Sequence, residues 1–328
     1  MAGGGGDPKK VVMAALLANG GIAIAKFVAA WLSGSVAMVA EGVHSVADTS
    51  NQALLLVGMG LAAKRDPVRF PMGRAAEQYF WAFVVSLMLF FLGGVYALYE
   101  GIHKLMQPDS APGSLIAPVV VLGISILLEG KSFLVAIKEF NHQRGDRPIK
   151  EALFRGRDPV IPVVLLEDAG ALFGLVIALI AVGVSWATGS TIADGVGSVV
   201  IGLLLCSIGV VLAYETHGLI IGEGITPEHR RTALELARST DGVEDVTQLL
   251  SLHLGPDSAI LALKVKFPHG ITVEEVEAIT DAVEERIREK LPHMKRIFIE
   301  PDSDYDPDKD PELAPVTNGK ASAEATEP

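Results

Sequence analysis

Cysteine is nearly missing from this chain. Cys206 is the only one among 328 residues, so neither an intrachain disulfide nor a thiolate metal cluster can form, and cysteine usage says nothing of redox compartment. Cys206 sits inside an apolar run, where a buried free thiol is the expected state. Basic charge is scarce as well: 27 Lys and Arg stand against 39 Asp and Glu, for a formal net charge of -12. Much of that negative charge lies after residue 222, so it describes one part of the chain. No basic patch with interleaved aromatics occurs, which argues against nucleic acid as a partner. No small-residue cleavage site follows the first apolar run, which is therefore read as a retained helix and not as a leader.

Hydrophobicity is what the chain has in excess. Half of it is hydrophobic (50%), with a mean hydropathy of +0.40, too apolar for an ordinary soluble domain. Many of its 34 glycines sit within the apolar runs, where small residues let helices approach closely. Residues 1–10 read as a flexible, Gly-rich start. Six apolar segments follow, near Val11–Leu32, Val36–Ala62 (after the tight Ser33-Gly34-Ser35 turn), Gln78–Lys104, Leu115–Phe140, Pro159–Ala187 and Ile192–Ile221. Each is long enough to cross about 30 Å of hydrocarbon. The second-to-third link carries Lys64, Arg65, Arg69 and Arg74, and the fourth-to-fifth carries Arg144, Arg147, Lys150, Arg155 and Arg157. The alternate links are nearly free of basic residues, so the positive-inside rule places both termini in the cytoplasm.

Composition changes after Gly222-Glu223-Gly224. Thr226-Pro227-Glu228 starts a helix, Thr as N-cap and Pro in the first helical position. Val243–Leu254 and Ala259–Phe267 read as strands around a Gly255-Pro256-Asp257 turn. Thr272-Val273-Glu274-Glu275 is a capping box that opens a helix with Val273, Val276, Ile279, Val283 and Ile287 on one face. Arg296–Glu300 reads as a third strand. The expected fold is an α-helical membrane protein: six transmembrane helices in residues 11–222, then a small cytoplasmic α/β domain (α-β-β-α-β, ferredoxin-like) in residues 223–300. Residues 301–328, rich in Asp, Pro and Glu, read as a disordered acidic tail.

The second span contains AEGVHSVADTSN, which sets Glu41, His44 and Asp48 three and four residues apart. At 3.6 residues per turn they share one helix face. An ionisable group at mid-bilayer costs about 2.5–3.5 kcal/mol on insertion scales, so a stripe of three needs a partner, a watered cavity or a bound cation. A His and an Asp one turn apart form half of a divalent-metal site. The bland alternative is a His–Asp pair that satisfies itself against neighbouring helices. Acids recur, however, in the fifth span (Glu167-Asp168 in VVLLEDAGALFG) and in the fourth (Glu129 in ILLEGKSF). Asp194 starts the sixth, where a carboxylate offsets the helix dipole.

These features together, with HSVAD in the second span, GRAAEQYF before the third and an acid in the fifth, resemble the cation diffusion facilitator family of divalent-metal/proton antiporters. EDAGALFG is similar to its mitochondrial, ZnT9-like branch. The resemblance covers about residues 8–300. It implies a transport site built from pairs four residues apart on the second and fifth helices, which maps here to His44, Asp48 and Asp168. Val164 stands where many members have the fourth ligand; water, Glu167, Glu129 or Glu41 are the alternatives for that position. An oxygen-rich site admits manganese, iron or cobalt beside zinc. The resemblance also implies a cytoplasmic domain that dimerises. Phe298 stands where many relatives carry His, and His253, His269 and His293 are isolated in sequence, so little or no metal is expected there.

The expected function is divalent-metal efflux, with Zn2+ as the transported substrate, by proton-coupled alternating access. No organic cofactor is implied. The expected setting is the bilayer of a bacterial inner membrane, as a homodimer joined through the cytoplasmic domain. Metal needs neutral imidazole and ionised carboxylates, so protons compete with it at one site. The alternative is a membrane metal sensor or partner-binding protein without transport. A channel is a further rival. An enzyme is not expected, since Glu41-x-x-His44 lacks the two-His helical motif of zinc hydrolases.

Overall fold

A computed structural model describes residues 7–33, 36–106, 116–154 and 156–302, without the side chains of residues 32–33, 36–41, 43–44 and 116–118. The Gly34-Ser35 half of the first turn, most of the N-terminal start and residues 303–328 of the expected tail lie outside the described residues. The chain divides into two compact units, Met1–Ile220 and Ile221–Pro328.

The first unit is all helical: α1 (Pro8–Ser33), α2 (Val36–Ala62), α3 (Glu77–Met88), α4 (Tyr96–Met106), α5 (Ile116–Arg144), a short α6 (Ile149–Phe154), α7 (Val160–Thr188) and α8 (Ile192–Ile221). Among the described residues, five helical stretches are long and apolar enough to cross a membrane: Pro8–Trp31, Glu77–Met106, Val119–Arg144, Val160–Thr188 and Ile192–Ile221. The unit is a multi-pass membrane domain, and its polarity fits that reading. Trp31 (83% exposed), Leu17 (70%) and Leu127 (68%) face outward while Asp168 (1%) is buried. Water would reject that arrangement and lipid accepts it.

Sequence reading expects one regular helix for the third span. The structure instead joins α3 to α4 through a π-helical stretch, Leu89–Val95, that holds Gly93 and Gly94. Such widenings mark places where a helix must fit a neighbour. Here the neighbour is α8. A Cβ on Gly94 would meet Cys206 Sγ at 2.5 Å, and one on Gly101 would meet the Val199 backbone nitrogen at 2.7 Å. From the other side, a Cβ on Gly202 would meet the Leu98 nitrogen at 2.7 Å. Bare backbone against bare backbone brings these two spans together.

α1 packs on α2, α5 and α7; α5 packs on α7; and α2 packs on α3. The buried centre combines Val11, Val12 and Ala15 of α1, Leu55 of α2, Phe140 of α5 and Ile161 and Val164 of α7. At one end of this group Lys10 Nζ meets Glu139 Oε1 at 2.6 Å, tying α1 to α5.

The second unit runs α9 (Pro227–Arg238), β1 (Asp245–Gly255), β2 (Ser258–Lys266), α10 (Val273–Lys290), β3 (Met294–Pro301). It is an α/β domain in the order read from the sequence. The sheet order is β1-β2-β3, with β1 antiparallel to β2 and β2 parallel to β3. The parallel pair needs a crossover, and α10 supplies it. Alternate residues of β2, namely Ala259, Leu261, Leu263 and Val265, are buried, as a strand with one covered face requires. The Thr226 side chain accepts from His229 N at 3.3 Å and so caps α9. In α10 the Thr272 hydroxyl accepts from Glu275 N at 3.2 Å and Glu275 Oε2 accepts from Thr272 N at 2.7 Å, the reciprocal box. Val283 and Ile287 of the apolar stripe are buried, while Val273 stays 80% exposed in the first turn.

Candidate metal site

Each span that carries an acid is apolar enough to be helical, and the acid's azimuth then decides whether it faces lipid or protein. The structure turns Asp48 of α2, Glu129 of α5 and Glu167 and Asp168 of α7 to one cavity of about 300 Å3. Glu129 and Glu167 are each 5% exposed. Lys26 of α1, 8% exposed, lines the same space. The cavity continues to Glu100, Lys104 and Asp194. There Lys104 Nζ lies 2.9 Å from Glu100 Oε1 and 3.0 Å from Asp194 Oδ2. Asp194, expected only to offset the dipole of its own helix, thus also pairs across to α4.

Asp168 receives a 2.7 Å hydrogen bond from Ser132 Oγ on its Oδ2. Among the described residues, its Oδ1, together with Glu129 Oε2 and Ser125 Oγ, is buried with no hydrogen-bond partner. Orphaned buried oxygens that share a cavity are the donor set a hard or borderline cation prefers. Glu167 differs. Its Oε1 accepts from Asn51 Nδ2 at 2.9 Å and its Oε2 from Gln52 Nε2 at 2.8 Å. Gln52 Oε1 in turn accepts from Asn19 Nδ2 at 3.3 Å.

Of the residues singled out from sequence, Asp48, Glu129, Glu167 and Asp168 are therefore brought to one cavity. Glu41 and His44 lie on α2, and their side chains are outside the described residues. Val164 is fully buried among apolar neighbours and offers no donor. Among the described residues, no three His, Cys, Asp or Glu side chains are grouped closely enough to hold an ion. Two of the acids are held by different partners, Asp168 by Ser132 of α5 and Glu167 by Asn51 and Gln52 of α2. Sequence reasoning missed Asn19, Lys26, Asn51, Gln52, Ser125 and Ser132. A signal existed: uncharged amides and hydroxyls inside otherwise apolar helices, with Asn51 and Gln52 three and four residues after Asp48.

The second unit corrects another expectation. His293 is not isolated: its ring lies 4.6 Å from that of His229 and stacks at 6.3 Å on that of His253. The three come from α9, β1 and the turn before β3, so only folding brings them together. Burial, with help from His229 and His253, pushes the His293 imidazole down to about 4.

The profile of the cation efflux transmembrane domain matches residues 12–221, and that of the cation efflux protein cytoplasmic domain matches residues 225–304. The chain belongs to the cation efflux family. Proteins with which it aligns include the proton-coupled zinc antiporter SLC30A9, mitochondrial, of Xenopus laevis, 31% identical over 79% of this chain and 47% of that protein. Metal tolerance protein C4 of Arabidopsis thaliana is 30% identical over 81% of this chain and 58% of its own length. Magnetosome protein MamB of Paramagnetospirillum magneticum is 24% identical over 89% and 94%. The chain thus spans about half the length of the zinc antiporter. As a cation efflux protein it is related to that antiporter branch, and it is not an enzyme.

Proposed function

We propose that this protein carries divalent metal ions across a membrane in exchange for protons, with zinc the substrate best supported. The observation that carries the reading is the gathering of Asp48, Glu129 and Asp168 around one cavity inside an apolar helical domain. Such acids are tolerated in hydrocarbon when a cation or protons offset them. His44, one turn before Asp48, adds the nitrogen that favours zinc. Asp48 and Asp168 then hold the ion with His44, and Glu129 stands in for the ligand that Val164 cannot supply. Metal and protons compete for the same groups, so exchange follows without a separate proton path. Zinc is favoured over manganese, iron and cobalt by the zinc antiport for which the related proteins are named. The basic loops after α2 and α5 support a cytoplasmic side for both termini. Counting α2, 27 residues long, there are six spans. The second unit, matched by the family's cytoplasmic-domain profile, joins two copies.

The test is zinc uptake into sealed vesicles containing the purified protein under an imposed pH gradient. Asp48→Ala and Asp168→Ala should each abolish the gradient-driven component. Full transport by the double variant would refute the site. Zinc binding without flux in the unaltered protein would favour the sensor reading.

A further inference from the structure

The cavity holds one acid whose surroundings differ from those of the others. Both oxygens of Glu167 accept hydrogen bonds from neutral amides, Asn51 Nδ2 at 2.9 Å and Gln52 Nε2 at 2.8 Å. The network continues to a third helix through Asn19 Nδ2, which donates to Gln52 Oε1 at 3.3 Å. All four side chains are buried: Asn19, Asn51, Gln52 and Glu167 are 5% exposed or less. Carboxylates accept charge-assisted hydrogen bonds that are shorter and stronger than neutral ones. In a desolvated site, a donor stripped of its acceptor costs more than the bond itself contributes.

Position gives this network its consequence. Gln52 lies one helical turn beyond Asp48 on α2, and Glu167 directly precedes Asp168 on α7. The bonds therefore join the two helices at the level of the metal-bearing acids, and Asn19 extends the tie to α1. We infer that Glu167 is a positioning residue and not a metal ligand: with Asn51, Gln52 and Asn19 it holds α2 and α7 at the separation that lets Asp48 and Asp168 share one ion. This inference rests on the transport reading above and assigns Glu167 a separate role within it.

Exchanging the partners tests it. Glu167→Met removes both acceptors while keeping the side chain long and apolar. The apparent KM for zinc should rise by about 10–100-fold, the range found when groups that orient metal ligands are removed, with little change in maximal rate. Gln52→Glu alone sets two carboxylates against each other and should abolish uptake. Gln52→Glu combined with Glu167→Gln rebuilds the network in reverse. The amide now on α7 donates to the carboxylate now on α2, and Asn19 Nδ2 donates to that carboxylate's other oxygen. Asn51 Nδ2 then donates to the carbonyl oxygen of the new α7 amide. Uptake should return to within about threefold of the unaltered protein, since the coupled changes cancel.

A ligand role for Glu167 predicts instead that the exchanged pair stays inactive. An inactive exchanged pair with unaltered thermal unfolding in detergent overturns the inference, as does an unaltered KM in Glu167→Met. If the unaltered protein shows no uptake, the transport reading fails. The tie is then judged on thermal unfolding alone, where the exchanged pair should be more stable than either single variant; equal or lower stability overturns it.

Discussion

Ser132→Ala is the most informative single change at the proposed metal site. Ser132 is 3% exposed and its hydroxyl donates to Asp168 Oδ2 at 2.7 Å. Among the described residues the other oxygen of Asp168 is already buried without a hydrogen-bond partner, so the variant leaves neither oxygen a partner among them. Ser→Ala deletes one oxygen and creates almost no cavity, so packing is a minor contributor. A hydrogen bond to a charged group contributes about 1.5–3 kcal/mol in soluble proteins. Side-chain hydrogen bonds in membrane bundles average about 0.6 kcal/mol and reach about 1.7. Taking about 1–2 kcal/mol for this buried, charge-assisted case, zinc affinity should fall about 5–30-fold. The assay is zinc titration of the purified protein in detergent, paired with the KM for vesicle uptake, which should rise in parallel. Ser86→Ala is the internal control: its hydroxyl, equally buried, donates to Phe83 O of its own helix at 2.7 Å, so its loss should change zinc affinity by less than about twofold. Zinc affinity and KM unaltered in Ser132→Ala would refute the idea that Asp168 is an oriented ligand.

Three further outcomes follow from other parts of the molecule. Gly101→Val places a Cβ 2.7 Å from the Val199 nitrogen and should lower stability in thermal unfolding by about 1–3 kcal/mol, whereas Gly60→Ala, with nothing within 4 Å of the added carbon, should not. His293 titrates near 4 when folded and near 6.5 when unfolded, so the unfolded chain binds the extra proton first. Its contribution is complete above about pH 6.5 and is lost as pH falls toward 4, by about 1–2 kcal/mol after allowing for partial exposure. Amide exchange in β3 and α9 should quicken over that interval, and His293→Gln should remove the dependence. Thr272→Ala deletes one half of the capping box and should cost about 1 kcal/mol, read as faster exchange in the first turn of α10.

Much of the architecture is legible one segment at a time. Apolar runs long enough to cross a bilayer, the Thr226-Pro227 start and the Thr272/Glu275 box each carry their meaning in neighbouring residues. Periodicity also shows which residues share a face: Asp48 stands with Glu41 and His44 on one stripe whatever α2 packs against. What it leaves open is the azimuth of one helix relative to the next. Glu167 and Asp168 are neighbours about 100° apart around α7, yet both reach the same cavity, one through two α2 amides and the other beside Ser132 of α5. No local rule could divide those roles.

By itself, then, the sequence determined that the chain crosses a membrane several times, carries acids in the apolar runs and ends in an α/β domain. These follow from hydropathy, length and capping, which act over a few residues. Only the tertiary structure decided that α8 docks where Gly94 and Gly101 bare their backbone. It alone assembled His229, His253 and His293 from three separate elements, and it alone set Glu167 into an amide network apart from Asp168. The reason is that helix–helix azimuth and register are settled by packing and buried hydrogen bonds between residues far apart in the chain, over 100 positions in the case of Asn51 and Glu167, where local propensity has no reach.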